Sequence, residues 1–519
     1  MQPDTDPVDS RADTEVVPSF SRWGHWPRLL LCLIVGFVLR WNCVNCKSFW
    51  FDECYSVEVS RLDWRNFFHV LWWREANMSL YYALLKVWLY LGQSPSFIRG
   101  LSILVGVASI LAIFWLANLL YGRRVGLIAA ALFTFNAYSV RYSQEARSYS
   151  LFLLLTTLAS GFFVAYLHRA TKFHRIGYIL TSLLACYAHF YALLLIAAQW
   201  LAVRWNIPPG LGDTYVREIR RSWIRIGIGV FPLIIFIAKT GAGPIKWIQR
   251  PGMGDLFNFF EHLAGSDHWI LLLNYVLASA AAIIPVAGRL FVSNKDWSGW
   301  REQFLLIWIL FPVVLTVLLS FARPVFLARY MIFILPAFVI LAAAGLARLR
   351  KDWLLALVLV PVLLLASQGI SYVYAHDFDT ERDESGMATN FILDHARAGD
   401  GVIFHIANTR AAYEFFRSLR AGENTASPYY EGHLGPEIVF PNHGPGMDYR
   451  DFTGKPTPDF VRASSAAHPR IWLMLMNNGT AGKTDPTTDM LKNDLKRAFQ
   501  TEKVWQFARV ELRLYSNEP

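Results

Sequence analysis

The sequence has 519 residues, of which 54% are apolar, 15% aromatic and only 17% charged, and its formal net charge is +10. This composition excludes an ordinary soluble enzyme: long apolar runs recur from about Leu29 to about Tyr374, and only the remainder has soluble character. The charge does not mark a nucleic-acid binder either, because the basic residues fall in small clusters between apolar runs, as expected for cytoplasmic loops, with no basic stripe interleaved with aromatics.

In chain order, residues 1–22 are polar and acidic and read as a disordered cytoplasmic tail. Arg22, His25 and Arg28 precede the apolar run Leu29 to Trp41, which places the N-terminus inside and the following loop outside. That loop carries Cys43 and Cys46, a lone CxxC that suits a local disulfide or incidental thiols better than a redox or metal site. It leads to Phe49-Trp50-Phe51-Asp52-Glu53, two adjacent acids among aromatic rings at the predicted outer boundary. Leu62 to Trp73 sets Trp, Phe and Leu at helical spacing against Arg65, His69 and Arg74, as in an amphipathic helix lying on the membrane. Leu80 to Leu91 is too short to span; placing it in the interface keeps Arg123 and Arg124 inside.

Phe97 to Leu120 then crosses inward and Val125 to Tyr138 outward, which brings Tyr142-Ser143-Gln144-Glu145-Ala146-Arg147-Ser148-Tyr149 to the face that holds Asp52. Leu151 to Leu167 returns inward. A single helix from Ile176 to Val203 would strand Arg204, Arg217, Arg220 and Arg221 outside, so the sequence predicts two short helices meeting near His189 at the outer face. Ile224 to Ala238 leads outward to a Gly/Pro-rich loop with Lys246 and Arg250, unusually basic for that side. Trp269 to Gly288, Phe304 to Phe321, Met331 to Leu346 and Trp353 to Tyr374 complete about eleven crossings, with Arg329 and Tyr330 at an outer end.

The predicted organisation is a polytopic α-helical membrane domain over residues 23–375, with juxtamembrane helices, and a small extracytoplasmic soluble α/β domain over residues 376–519. Within the latter, helices are expected at Gly386 to Arg397, Thr409 to Leu419 and Asp489 to Phe499. Strands are expected at Gly401 to Ile406 and Arg470 to Met476, with a strand or hairpin at Val504 to Tyr515. No phosphate-binding glycine loop or metal-ligand spacing stands out there.

The outer face thus gathers Asp52, Glu53, Glu145, Arg147, His189, Lys246, Arg250, Arg323 and Arg329, with Tyr330 next to the last. Acids beside several cations at a membrane edge suit a reaction on an anionic lipid head: arginine and lysine hold a phosphate as it leaves, and a carboxylate takes a proton from an attacking hydroxyl. Plainer roles compete. Asp52 and Glu53 could cap a helix, Glu145 and Arg147 could pair with each other, His189 could pack between helices, and Arg329 could snorkel.

The acidic pair Phe51-Asp52-Glu53, the stretch from Tyr142 to Tyr149, the pair Arg329-Tyr330 before a late span and the soluble tail together resemble the bacterial family 39-type membrane glycosyltransferases. These belong to the C-type superfamily that includes protein O-mannosyltransferases and lipid A aminoarabinose transferases. The resemblance implies a multi-pass protein of the bacterial inner (plasma) membrane with a periplasmic active site. It also implies a polyprenyl-phosphate sugar donor, a glycan, lipid or protein acceptor, and inverting transfer with Asp52 as general base. Glu53 is then a helper, and a divalent cation, if any, would sit on Asp52 and Glu53; on the charge argument above, Glu145, Arg147, His189, Lys246, Arg250, Arg329 and Tyr330 are the candidate substrate contacts. Where many relatives carry His-Pro-Pro-Leu-Tyr-Tyr, this chain reads Asn77-Met78-Ser79-Leu80-Tyr81-Tyr82. The rival functions are a flippase or transporter of lipid-linked glycans, an assembly or scaffold protein whose α/β tail recruits a partner, and a ligase moving a glycan from a lipid diphosphate; the charges gather at the ends of the spans rather than at mid-depth, which favours an enzyme over a transporter.

Overall fold

The computed structural model describes residues 26–205, 213–240, 248–290, 297–376, 382–421, 435–444, 446–476 and 485–518. The predicted N-terminal tail and Lys246 lie outside the described residues. The first apolar run forms α1 (Trp26–Trp41), and the two acids open α2 (Phe51–Arg61). The aromatic stretch forms α3 (Trp64–Trp73), started by Asp63, whose carboxylate accepts the Arg65 and Asn66 N–H groups. Trp64, Phe68, Trp72 and Trp73 are exposed along α3, in keeping with a helix lying on the membrane surface. The next piece is α4 (Ser79–Trp88), 10 residues long and too short to span.

There follow α5 (Pro95–Tyr121), α6 (Arg123–Thr134), α7 (Ala137–Ser143), α8 (Tyr149–His168), α9 (Lys172–Ala188), α10 (Ala192–Trp205) and α11 (Asp213–Thr240). Then come α12 (Met253–Ala264), α13 (Trp269–Ile283), α14 (Trp297–Ala322), α15 (Leu335–Leu346), entered by a 3-10 turn at Ala328–Ile334, and α16 (Asp352–Ala375). Among the described residues seven spans are long and apolar enough to cross a membrane: those on α5, α8, α11, α13, α14, α15 with its entering turn, and α16. Four other predicted crossings are shorter helices: α1 has 16 residues, α6 has 12, α9 has 17 and α10 has 14.

The span Ala328–Leu346 is 94% buried and α8 is 83% buried, so they form the centre of the bundle, while α11 and α16, each 22% buried, form its lipid-facing periphery. Packing at the centre is close. A Cβ on Gly345 of α15 would lie 1.7 Å from the Ala278 carbonyl oxygen of α13, so only glycine lets these helices meet.

Two details depart from the sequence reading. The crossing predicted at Val125 to Tyr138 is broken after α6, where Asn136 caps α7 by accepting the Ser139 N–H at 2.8 Å. Helix α12 was not expected, although Leu256, Phe257, Phe260, Leu263 and Ala264 fall at helical spacing along its 12 residues. It forms because Asp255 accepts the Gly252 N–H at 2.7 Å and Gly265 ends it with φ of 100°. The predicted break near His189 is present, between α9 and α10.

The C-terminal part is α17 (Ser385–His395), β1 (Gly401–His405), α18 (Arg410–Arg420), β2 (Glu437–Phe440), α19 (Pro458–Ala467), β3 (Arg470–Met476), α20 (Pro486–Ala498), β4 (Thr501–Phe507) and β5 (Val510–Ser516). The strands form one sheet in the order β2-β1-β3-β5-β4, parallel from β2 to β3 and antiparallel through the closing hairpin. Alternate residues serve two cores: Val402, Phe404, Trp472 and Met474 pack with α17, and Ile403, Ile471 and Leu473 pack with α19 and α20. The four-residue β2 and the ten-residue, Ala- and Ser-rich α19 were too short and too weakly patterned to be read from sequence. The chain is thus a polytopic helical membrane protein with a small C-terminal α/β domain.

Candidate active site

Asp52 and Glu53 stand in the first turn of α2, and consecutive helical residues diverge by about 100°. The two acids therefore face different partners. Glu53 is fully buried and meets Arg99, 46 residues on, in a two-pronged pair: Arg99 Nε donates to Oε1 at 2.8 Å and Nη2 to Oε2 at 2.6 Å. The Ala146 N–H donates to Oε1 at 2.9 Å, and Arg382 stands 3.5 Å from Oε2. Burial would raise the Glu53 carboxyl, but the Arg99 guanidinium outweighs it and holds the group below the usual carboxylate value. Arg99 also donates to the Val44, Lys47 and Ser48 carbonyls, which ties the loop after α1 to the base of α2. Glu53 is thus a fixed strut.

Asp52 turns the other way. Its carboxylate is 22% exposed and lies 3.5 Å from Arg147 Nη2. Arg147 Nη1 also donates to the Asp52 carbonyl at 3.3 Å, to Ser56 Oγ at 3.2 Å and to Tyr82 Oη at 3.2 Å, so the cation is aimed by three oxygens besides the acid. Glu145 does not join this group and does not pair with Arg147. It is fully buried and pairs with Arg141 at 2.5 Å, one helical turn back.

His189 sits in the break between α9 and α10, buried between the Phe152 ring at 4.9 Å and the Tyr330 ring at 4.6 Å. Its Nδ1 accepts the Tyr191 N–H at 3.2 Å, which leaves the proton on Nε2. The Arg329 guanidinium lies over the Trp50 ring at 5.4 Å, next to the start of α2. Tyr330 is within electrostatic reach of Asp52, Arg147, Arg329 and Glu75. Asp52, Arg147, His189, Arg329 and Tyr330 therefore come together. Arg250 is exposed, and among the described residues none of the site bonds to it.

The sequence reading missed several members. Glu75, in the link between α3 and α4, is within electrostatic reach of both Asp52 and Arg147. An acid directly after an aromatic amphipathic helix was the available signal. Burial, against the pull of Arg147 and with the help of the Asp52 charge, pushes the Glu75 carboxyl up to about 7. A carboxyl raised by folding favours the folded state in its protonated form, so its contribution is full below the ordinary value of 4.5 and is lost as pH rises toward 7. The Glu75→Gln variant should accordingly show a shallower fall in melting temperature between about pH 5 and pH 7 than the parent; an unchanged slope would place the titration elsewhere. Arg99 had its own signal, a charge inside the first turns of an apolar span. Asn77 accepts the Phe190 N–H at 3.1 Å and so braces the break that holds His189.

A cation shared by Asp52 and Glu53 does not fit this geometry, because Glu53 spends both oxygens on Arg99 and the Ala146 N–H. Among the described residues another group, His443, Asp448 and Asp451, brings ligand atoms within 4.8 Å of one another. There Asp451 already accepts Arg410 Nη1 at 2.9 Å and the Asp448 N–H at 2.7 Å and bonds His443 Nδ1 at 2.8 Å, the pattern of a loop hub. Cys43 and Cys46 form a disulfide, the local bond that their spacing allows.

No protein-family model matches the chain, and no curated protein matches it in sequence. Solved structures do match. ArnT from Cupriavidus metallidurans bound to undecaprenyl phosphate superposes with a TM-score of 0.58 at 11% identity, over 95% of this chain and 98% of that one. Its apo state gives 0.59 at 11% identity, over 95% and 99%. The Archaeoglobus fulgidus oligosaccharyltransferase tethered with an acceptor peptide gives 0.50 at 11% identity, over 87% and 69%. At these identities the likeness is one of fold, and it extends over both the helical domain and the α/β tail.

Proposed function

We propose that this chain, which has the fold of ArnT, is a membrane glycosyltransferase that moves a sugar from a polyprenyl-phosphate-linked donor to an acceptor hydroxyl. The observation that carries the reading is the meeting of Asp52 with Arg147, 95 residues apart in sequence, beside Arg329, Tyr330 and His189. In a single displacement the acceptor oxygen attacks the anomeric carbon, the bond from that carbon to the phosphate oxygen breaks, and its electrons leave with the polyprenyl phosphate. Configuration inverts, and the acceptor proton passes to Asp52. Arg147 and Arg329 hold the phosphate as its charge grows, and the Nε2–H of His189 is a further donor to it. Glu53 keeps α2 in place.

The site belongs to the extracytoplasmic face in this reading. The charge balance of the loops supports that side, as does the Cys43–Cys46 disulfide just before α2, since thiols pair and stay paired in oxidising compartments. The likeness to a protein that binds undecaprenyl phosphate supports a lipid-linked donor of that kind.

The test is transfer by the purified protein from a radiolabelled polyprenyl-phosphate sugar to a membrane extract holding glycan, lipid and protein acceptors. Label in an acceptor together with an equal amount of freed polyprenyl phosphate is expected. Movement of the intact donor between the leaflets of a vesicle, with no polyprenyl phosphate released, would replace the enzyme by a flippase. Release of a polyprenyl diphosphate from a diphosphate-linked glycan would make it a ligase.

A further inference from the structure

The helix that carries Asp52 has no cap of its own. The residue before it, Trp50, is in extended conformation and offers no side-chain oxygen to the first-turn N–H groups of α2. The missing acceptor comes from the far end of the chain: Asp383 Oδ2 accepts the Phe51 N–H at 2.9 Å, across 332 residues. The other oxygen of the same carboxylate accepts the Ser385 N–H at 3.0 Å and the Ser385 hydroxyl, at the start of α17. One carboxylate thus joins the positive ends of two helices, one bearing the proposed base and one belonging to the α/β domain.

The neighbouring contacts point the same way. Arg382 donates to the Ser48 carbonyl at 2.7 Å, stands 3.5 Å from Glu53 and lies over the Trp50 ring at 5.9 Å, the ring that Arg329 covers at 5.4 Å. Phe49 stacks on Phe415 of α18 at 4.7 Å, and Tyr55 meets Phe452 edge-on at 5.1 Å. Farther along α2, Arg61 donates to Ser418 Oγ at 3.3 Å. Helix α2 is therefore held along its length by the α/β domain, and at its catalytic end by Arg382 and Asp383.

We infer that the α/β domain completes the active site by capping α2 through Asp383, which makes Asp383 a positioning residue for Asp52. The inference rests on the reading of Asp52 as base for its catalytic arm, but its structural arm stands alone. A bond from Phe51 N fixes the backbone one residue before Asp52, and a carboxylate held at a helix N-terminus resists the fraying that would let Asp52 swing from Arg147. It also gives the tail a task that needs no ligand of its own.

The test compares the full-length parent with Asp383→Ala, Asp383→Asn and Arg382→Ala by amide hydrogen exchange and by transfer kinetics. In Asp383→Ala the peptide spanning Phe49 to Ser56 is expected to exchange about fivefold faster, while peptides of α5, α8 and the central strands keep their rates. Transfer kcat should fall about tenfold with the donor KM unchanged, since the base is misplaced and the phosphate contacts are not. Asp383→Asn keeps a carbonyl oxygen for the Phe51 N–H and should recover most of both losses. Arg382→Ala leaves the cap and should loosen the same peptide less; should Asp383→Ala fail to fold, Asp383→Glu, which keeps the charge but shifts the oxygen off the Phe51 N–H, is expected to loosen that peptide in the same way, and parental exchange there overturns the inference. Unchanged exchange at Phe49 to Ser56 in Asp383→Ala, equal acceleration throughout the α/β domain, or a rise in KM alone overturns the inference. Should the parent transfer no sugar, the functional reading fails while the exchange arm still decides the cap.

Discussion

Replacement of Asp52 by Asn is expected to lower the rate of sugar transfer by about 10²- to 10⁴-fold, the usual contribution of a positioned general base. Asparagine has nearly the same shape, and its carbonyl still faces Arg147, but it cannot take up the acceptor proton. The fold should survive, because the strut that anchors α2 is the Glu53–Arg99 pair on another side of the helix. The phosphate contacts should survive too, so undecaprenyl phosphate, used as a probe in place of the donor, is expected to bind the variant about as tightly as the parent. Labelled-donor transfer measured beside binding of this probe checks both halves. Activity within about twofold of the parent would remove Asp52 from the role of base. In that event Glu75→Gln is the next variant, since Glu75 is the other acid within electrostatic reach of Arg147.

Replacement of Glu53 by Ala is expected to have a different consequence. It leaves the Arg99 guanidinium, 2% exposed, without its counter-charge and strips the Ala146 N–H of its acceptor. Breaking a buried pair from one side costs about 3–5 kcal/mol, which is a large part of the stability of a typical fold. Thermal unfolding in detergent should therefore show a large drop for Glu53→Ala and for Arg99→Ala. The double variant Glu53→Leu with Arg99→Met should recover much of the loss, because a well-packed apolar pair can replace a buried ion pair. A melting temperature for Glu53→Ala equal to that of the parent would show that the pair carries no structural load. Two adjacent acids thus have separable phenotypes: one variant stays folded and inactive, and the other is destabilised whatever its activity.

The long spans were legible because hydropathy and length are local properties of the chain. The runs that became α5, α8, α14 and α16 needed no partner to be recognised. The break at His189 was legible for a related reason, since the arginines that follow it had to be kept on one side. The strands β1 and β3 and the closing strand β5 were likewise written in short apolar runs, whereas β2 and α19 are short and weakly patterned; α12 carries apolar residues at helical spacing, but over a length too short to span a membrane.

The sequence by itself also gathered charged residues at the ends of the spans and singled out Asp52 and Glu53 among them. What it could not decide was how those two divide the work. That depended on which cation each one meets: Glu53 meets Arg99 from the first turns of α5, Asp52 meets Arg147 from the link between α7 and α8, and Glu145 is drawn off to Arg141. It could not show that the cap of α2 comes from Asp383 either. Hydropathy places a residue relative to the membrane, but an ion pair or a helix cap is chosen by how helices distant in sequence pack and rotate against one another, and only the tertiary structure decides that.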